Sequence, residues 1–194
     1  MSDFYANITL QGPTQSEVVA FLNAAREVAY VSPTLGGATV VYAEDFSAQE
    51  NLAAELSRRF RCPALLVLTC GVPVLLYQLY ANSQLADSYV SPHDEHYAGL
   101  DDAEEPHPTG DAQLLCETFG IDLPHQVARV ERILRKTTDP NRGYALAVNR
   151  HGELAQALKL PMFAVGAGFQ AIEIGEPPAA LGFDAARMVK TGKA

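Results

Sequence analysis

Between Arg61 and Asp87 lie 25 consecutive residues, Cys62 to Ala86, without one charged side chain. So apolar a stretch has to be buried, and its punctuation decides in what form. Pro63, Gly71 and Pro73 fall inside it, and Gly71-Val72-Pro73 parts two short runs, Ala64 to Thr69 and Val74 to Tyr80. A membrane helix carrying those breakers would leave backbone groups unsatisfied in lipid, although Arg58, Arg59 and Arg61 imitate a positive flank. The runs read instead as two buried strands and a turn, and Leu85 to Val90 completes a hairpin around Asn82-Ser83.

The residues before this stretch alternate between strand and helix signals. Tyr5, Asn7 and Thr9 fall on one face of a predicted strand and Ala6, Ile8 and Leu10 on the other, the period of a half-buried strand. Thr14-Gln-Ser-Glu17 has the form of a capping box, and Val18, Phe21, Leu22, Ala25 and Ala29 then recur at helical spacing. Tyr30 to Ser32 and Ala38 to Tyr42 flank the turn residues Pro33-Thr-Leu-Gly36-Gly37, which predicts a hairpin. Ser47-Ala-Gln-Glu50 repeats the capping pattern ahead of Leu52, Ala53, Leu56 and Phe60. The order β-α-β-β-α-β-β-β predicts an α+β fold: a ferredoxin-like βαββαβ half extended by a β-hairpin. The term describes topology only, because the cysteine spacings of iron–sulfur ligation are absent.

Farther on the pattern turns helical. Asp111 can cap a run through Leu114, Leu115 and Phe119 that Gly120 ends, and Pro124 opens another with Val127, Val130, Ile133 and Leu134 on its stripe. Tyr144 to Val148 fits strand or helix. His151, Leu154, Ala155 and Leu158 share a helical face before Pro161, and a strand-turn element is expected over Phe163 to Ile174. The expected organisation is therefore residues 1–90 as the ferredoxin-like half, 91–110 as a loop, 111–178 as a mainly helical C-terminal half packed on the first, and 179–194 as a fraying tail.

Charge singles out the loop. The chain holds 23 acids against 14 bases, and ten of the acids lie within Cys62 to Ala128, where there is no Lys or Arg; without those ten the balance is 13 against 14. Ser91 to Gly110 holds six of them, Asp94, Glu95, Asp101, Asp102, Glu104 and Glu105, together with His93, His96 and His107. Such a segment is commonly just solvated. It can also steer a cationic protein, with those six carboxylates as the partner-binding residues. His93, Asp94, His96 and His107 are moreover the ligand types that divalent metals such as zinc prefer. In that alternative the protein is a metal-dependent hydrolase with a metal-bound water as nucleophile; otherwise no cofactor is expected.

Other readings have less support. A sequence pI near 4.9 disfavours nucleic acid, which requires clustered cations. The basic concentration from Arg129 to Arg150 reads as a solvated helix face. Gly166-Ala-Gly168-Phe-Gln-Ala171 imitates a dinucleotide fingerprint, but only 23 residues follow it, too few for the rest of a βαβ unit, so a glycine turn is expected. Cys62, Cys70 and Cys116 are read as small core residues rather than nucleophiles, and their odd number argues against a disulfide framework. His151 is read as a hydrogen-bonded core histidine. Glu173 and Glu176 are close enough to share a surface, without a pocket that would make them a glycosidase pair. Walker A, G-x-S-x-G, H-E-x-x-H, EF-hand and C-x-x-C motifs are absent.

Tyr30-Val-Ser-Pro33 leading into Gly37-Ala-Thr-Val-Val-Tyr42, and His151 through Leu160-Pro161-Met-Phe-Ala-Val-Gly166 to Glu173, resemble a group of small soluble bacterial proteins of unassigned function. The resemblance implies a bacterial cytosolic protein and carries over no site residue. The opening residues have no basic stretch followed by an apolar run, so no secretory leader is expected. The expected function is a non-enzymatic, immunity- or inhibitor-like binding protein that meets a basic partner. Self-association through a sheet edge or the helical half is a third reading.

Overall fold

The computed structural model describes residues 4–70, 74–91, 109–137, 143–178 and 183–192. Its centre is a seven-stranded antiparallel sheet in the order β6-β5-β4-β1-β3-β2-β7. The strands are β1 (Tyr5–Gln11), β2 (Ala29–Val31), β3 (Ala38–Ala43), β4 (Ala64–Cys70), β5 (Val74–Ala81), β6 (Gln84–Val90) and β7 (Val189–Lys190). The helices are α1 (Gln15–Ala25), α2 (Gln49–Phe60), α3 (Ala112–Thr118), α4 (Pro124–Arg135), α5 (Ala147–Ala157) and α6 (Phe169–Glu173). The protein is α+β, and no helix among the described residues is long and apolar enough to cross a membrane.

Local chemistry accounts for most of these boundaries. Thr14 and Glu17 close a complete capping box on α1, the Thr14 N–H donating to Glu17 Oε2 at 2.8 Å. Asn82 and Ser83 both have positive φ, as a two-residue turn of type I′ demands between right-twisted strands. Asp111 caps α3 by accepting from Leu114 N–H at 3.0 Å, and Pro124 stands in the first turn of α4, where its missing N–H costs nothing.

Three expectations need correction, and one open alternative is decided. Ser47 does not cap α2: Asp45 Oδ1 takes both the Ser47 hydroxyl at 2.6 Å and its N–H at 2.9 Å, and α2 starts after Ala48 without a side-chain cap. Tyr144 to Val148 leads into a helix, α5, rather than a strand. The expected strand-turn element over Phe163 to Ile174 is a 3-10 turn, Met162–Ala164, followed by α6. Finally, Val189 and Lys190 pair with Val31 and Tyr30 as β7, where fraying was expected. Thr191 fastens them, donating from its hydroxyl to Glu27 O at 2.8 Å and accepting from Ala29 N–H at 3.0 Å.

The sheet is covered on both faces. On one, Ile8, Leu10, Val31, Val41 and Leu66 pack under Val18 and Leu22 of α1 and Leu52, Ala53 and Leu56 of α2. On the other, Leu65, Val67, Leu75, Tyr77, Leu79 and Tyr89 meet Leu115, Val130, Leu134, Leu154 and Leu158 from α3, α4 and α5. Val40 and Tyr42 extend that second face toward Phe163, Ala164 and Phe169. β1 is therefore not half-buried as its alternation predicts. Asn7 and Thr9 are as buried as Ile8 and Leu10, because chain more than 100 residues downstream in sequence covers them.

Candidate functional site

The acidic segment departs from β6 and returns beside it, and both points are fixed. Ser91 donates its N–H to Leu75 O at 2.9 Å and accepts from Leu75 N–H through its hydroxyl at 3.1 Å. On the return, Thr109 forms a bridge with Tyr89. Gly110 follows at φ +72°, and a Cβ there would run into the Tyr77 hydroxyl, so glycine answers both the backbone conformation and the close approach. Asp87 Oδ2 accepts from Tyr77 at 2.6 Å and from Asp111 N–H at 2.9 Å. Arg135 of α4 completes the clasp by donating to the carbonyls of Thr109 and Gly110.

Of the ten carboxylates in the cation-free stretch, Asp87, Asp111, Glu117 and Asp122 are among the described residues. The predicted partner-binding residues Asp94, Glu95, Asp101, Asp102, Glu104 and Glu105, and the predicted metal ligands His93, Asp94, His96 and His107, lie outside them. Among the described residues no group of His, Cys, Asp or Glu is placed to hold a metal ion.

Behind the clasp is a buried cation that the sequence reading assigned to a solvated face. Arg150 of α5 is 0% exposed. Its Nη1 donates to Ile133 O at 2.6 Å and to the Tyr89 hydroxyl at 3.0 Å, and its Nη2 donates to Lys136 O at 2.7 Å. Tyr89 in turn donates to Leu134 O at 2.8 Å. Ile133, Leu134 and Lys136 carry carbonyls at the C-terminal end of α4, which lack partners within the helix and carry the negative end of its dipole. Arg150 and Tyr89 thus cap α4 from outside, and the dipole accommodates a guanidinium there. Burial pushes Arg150 below its ordinary range, and burial, only partly offset by Arg150, pushes Tyr89 up to about 12.

The Arg150 guanidinium also stacks on the ring of Tyr144, 4.5 Å from its centroid, and Lys136 Nζ stands 4.4 Å from the same centroid. The Tyr144 hydroxyl donates to Glu153 Oε2 at 2.7 Å; burial and that carboxylate raise its pKa. Tyr144 N–H donates to Thr137 O at 3.0 Å, and Gly143 is required because a Cβ would overlap that carbonyl. The resulting groove has a volume of about 600 Å³. Lys136, Tyr144, Asn149, Glu153 and Gln156 supply its polar lining, and Val148, Met162 and Val165 form an apolar wall.

The remaining candidates resolve into structural roles. His151 is buried with its Nδ1 2.8 Å from the Tyr5 hydroxyl, and burial lowers its pKa to about 4. Gly166 and Gly168 form a turn against the sheet: a Cβ on Gly168 would stand 3.1 Å from that of Tyr5. Glu173 Oε2 accepts from Tyr30 at 2.6 Å and from Lys190 at 2.7 Å, tying α6 to β2 and β7. Cys62 and Cys116 are buried free thiols, and burial pushes Cys62 up to about 11. The Cys70 side chain lies outside the described set. The missed residues, Tyr89, Tyr144 and Arg150, left one local trace: Arg150 stands one position before His151 on the stripe that the helical spacing already buried.

In comparison with known proteins, the chain matches no family model, no curated protein and no solved structure.

Proposed function

We propose that this protein is a binding module without catalysis of its own, immunity- or inhibitor-like, that meets a basic partner protein through the acidic segment of residues 91–110. The observation that carries the reading is the fixing of both ends of that segment: Ser91 on β5, and Thr109 to Asp111 held by Tyr77, Asp87 and Arg135. Anchored ends lower the entropy lost when a segment engages a partner. Concentrated negative charge steers a cationic protein and raises its association rate. The same reading takes residues 5–70 as a ferredoxin-like βαββαβ unit, supported by the order β4-β1-β3-β2, and residues 111–178 as a helical half. A bacterial cytosolic setting accords with the resemblance above and with two buried free thiols.

The test uses the full chain immobilised at low salt. A binding protein of high pI is expected, released as ionic strength rises and the screening length falls to about 8–10 Å. Replacing Asp101 and Asp102 by Asn and Glu104 and Glu105 by Gln should abolish its capture. Capture that ignores salt, or survives all four replacements, would overturn the reading.

A further inference from the structure

We propose that the groove between the end of α4, α5 and the 3-10 turn Met162–Ala164 is a second binding site, independent of the acidic segment, for a small monoanionic carboxylate with an apolar body. Its volume of about 600 Å³ falls within the range of small-ligand pockets. Its lining divides as such a ligand requires. Val148, Met162 and Val165 form one wall, while Lys136 brings a cation and Asn149 and Gln156 bring amides.

Two features separate this groove from an accidental crease. The first is Gly152, on the inner face of α5. A Cβ there would meet Met162 Cε and Val165 Cγ1 at 3.9 Å, ordinary contact distance, so alanine fits the space and suits a helix better. Glycine leaves the floor of the groove bare. The second is the bracing of Tyr144. Its ring lies against the buried Arg150, its hydroxyl is held by Glu153, and its face carries Lys136. Among the described residues Lys136 makes no ion pair, so the ammonium is available to a ligand. A braced ring beneath the ammonium lowers the ordering cost of association at that point.

The charges set the ligand class. The protein as a whole carries −9, yet among the described residues the ionised groups lining this groove are Lys136 and Glu153, with Arg150 behind the Tyr144 ring. Lys136 attracts one negative charge. The Glu153 carboxylate in the same lining repels a second, which favours a carboxylate over a phosphate dianion. An amine would find Glu153 already engaged by Tyr144 and would face both cations.

Methyl NMR of the full chain tests the assignment, with hexanoate and phenylacetate as probes and hexanamide, hexylamine and phenyl phosphate as controls. Both carboxylates are expected to shift the Val148, Met162 and Val165 methyls saturably, and hexanamide to bind about tenfold or more weakly for lack of a charge-assisted contact. Lys136→Met should weaken the carboxylates by a similar factor and leave the amide unchanged. Gly152→Ala, which retains the fold, should weaken all binding by filling the floor. The proposal is overturned if neither carboxylate gives a saturable shift, if hexylamine or phenyl phosphate binds as well, or if Lys136→Met leaves carboxylate affinity unchanged.

Discussion

The two faces of the sheet are both buried but are held by different physics. Under α1 and α2 the contacts are mainly aliphatic: Ile8, Leu10, Val41, Leu66, Leu22 and Leu56 are all 0% exposed and need no particular partner. Under α3 to α6 the sheet presents Tyr5, Asn7, Tyr42, Tyr77 and Tyr89, and the Asn7 amide nitrogen and the tyrosine hydroxyls each have a specific partner. Asn7 donates to the carbonyls of Ala164 and Ala167 at 2.7 and 3.0 Å, and Tyr42 donates to Phe163 O at 2.6 Å. Apolar burial is non-directional and tolerates repacking, whereas a buried polar network fails when one member is removed. The second face therefore fixes where the downstream elements sit, and both candidate sites are built on that side.

Removing Arg150 should give the largest effect. Arg150→Met deletes the hydrogen bonds to Tyr89, Ile133 and Lys136 and leaves the buried Ile133 carbonyl and the part-buried Lys136 carbonyl without them, which should cost about 3–5 kcal/mol. Arg150→Lys should recover only part of this, since an ammonium lacks the planar fork that reaches both carbonyls. On the aliphatic face Leu56→Ala should cost about 3 kcal/mol, and the volume-conserving Leu56→Met less than about 1.5 kcal/mol. Urea unfolding of the four variants measures the contrast. It breaks if Arg150→Lys is tolerated as well as Leu56→Met.

Acid should also act through the second face. His151 has a folded pKa of about 4 against an ordinary value of 6.5, because burial disfavours the imidazolium. The Tyr5 hydroxyl, itself held protonated by burial, lies in hydrogen-bond contact with Nδ1 at 2.8 Å. A depressed pKa means that the unfolded chain takes up a proton first. The stability is intact above pH 6.5 and falls progressively toward pH 4, by about 3 kcal/mol at about 1.4 kcal/mol per pH unit. His151→Phe should remove this part of the pH dependence, as followed by melting temperature between pH 7 and 4. An unchanged slope would show that carboxylates elsewhere dominate the acid response.

How much of this was legible in the sequence follows the same division. The strand and helix order through Phe60, the Asn82-Ser83 turn and the cap on α3 are local signals, complete within a few residues, and the pattern carries them. The second face is not local. Tyr5 meets His151 at a separation of 146 residues and Arg150 meets Tyr89 at 61, so no window along the chain contains both partners. Arg150 among Arg129, Arg132 and Arg135 has the look of one more surface cation, and only the position of α4 reveals the carbonyls that bury it. The acidic segment was legible by its charge alone, and its clasp through Tyr77, Asp87 and Arg135 was not.

The smallest predicted effect tests whether the local signals themselves carry energy. Thr14-x-x-Glu17 and Ser47-x-x-Glu50 look alike, yet in the first the hydroxyl faces its helix and in the second Asp45 captures it. Thr14→Ala should therefore cost about 1 kcal/mol as α1 loses its cap. Ser47→Ala leaves the start of α2 unchanged, since Ala48 is the N-cap and Glu50 Oε1 is occupied with Gln78 Nε2 at 3.0 Å. It gives up only an exposed hydrogen bond, and should shift the midpoint by less than half as much. Equal losses would mean that the pattern, rather than the contact, predicts the energy, and that the competing Asp45 turn contributes as much to α2 as a true cap does to α1.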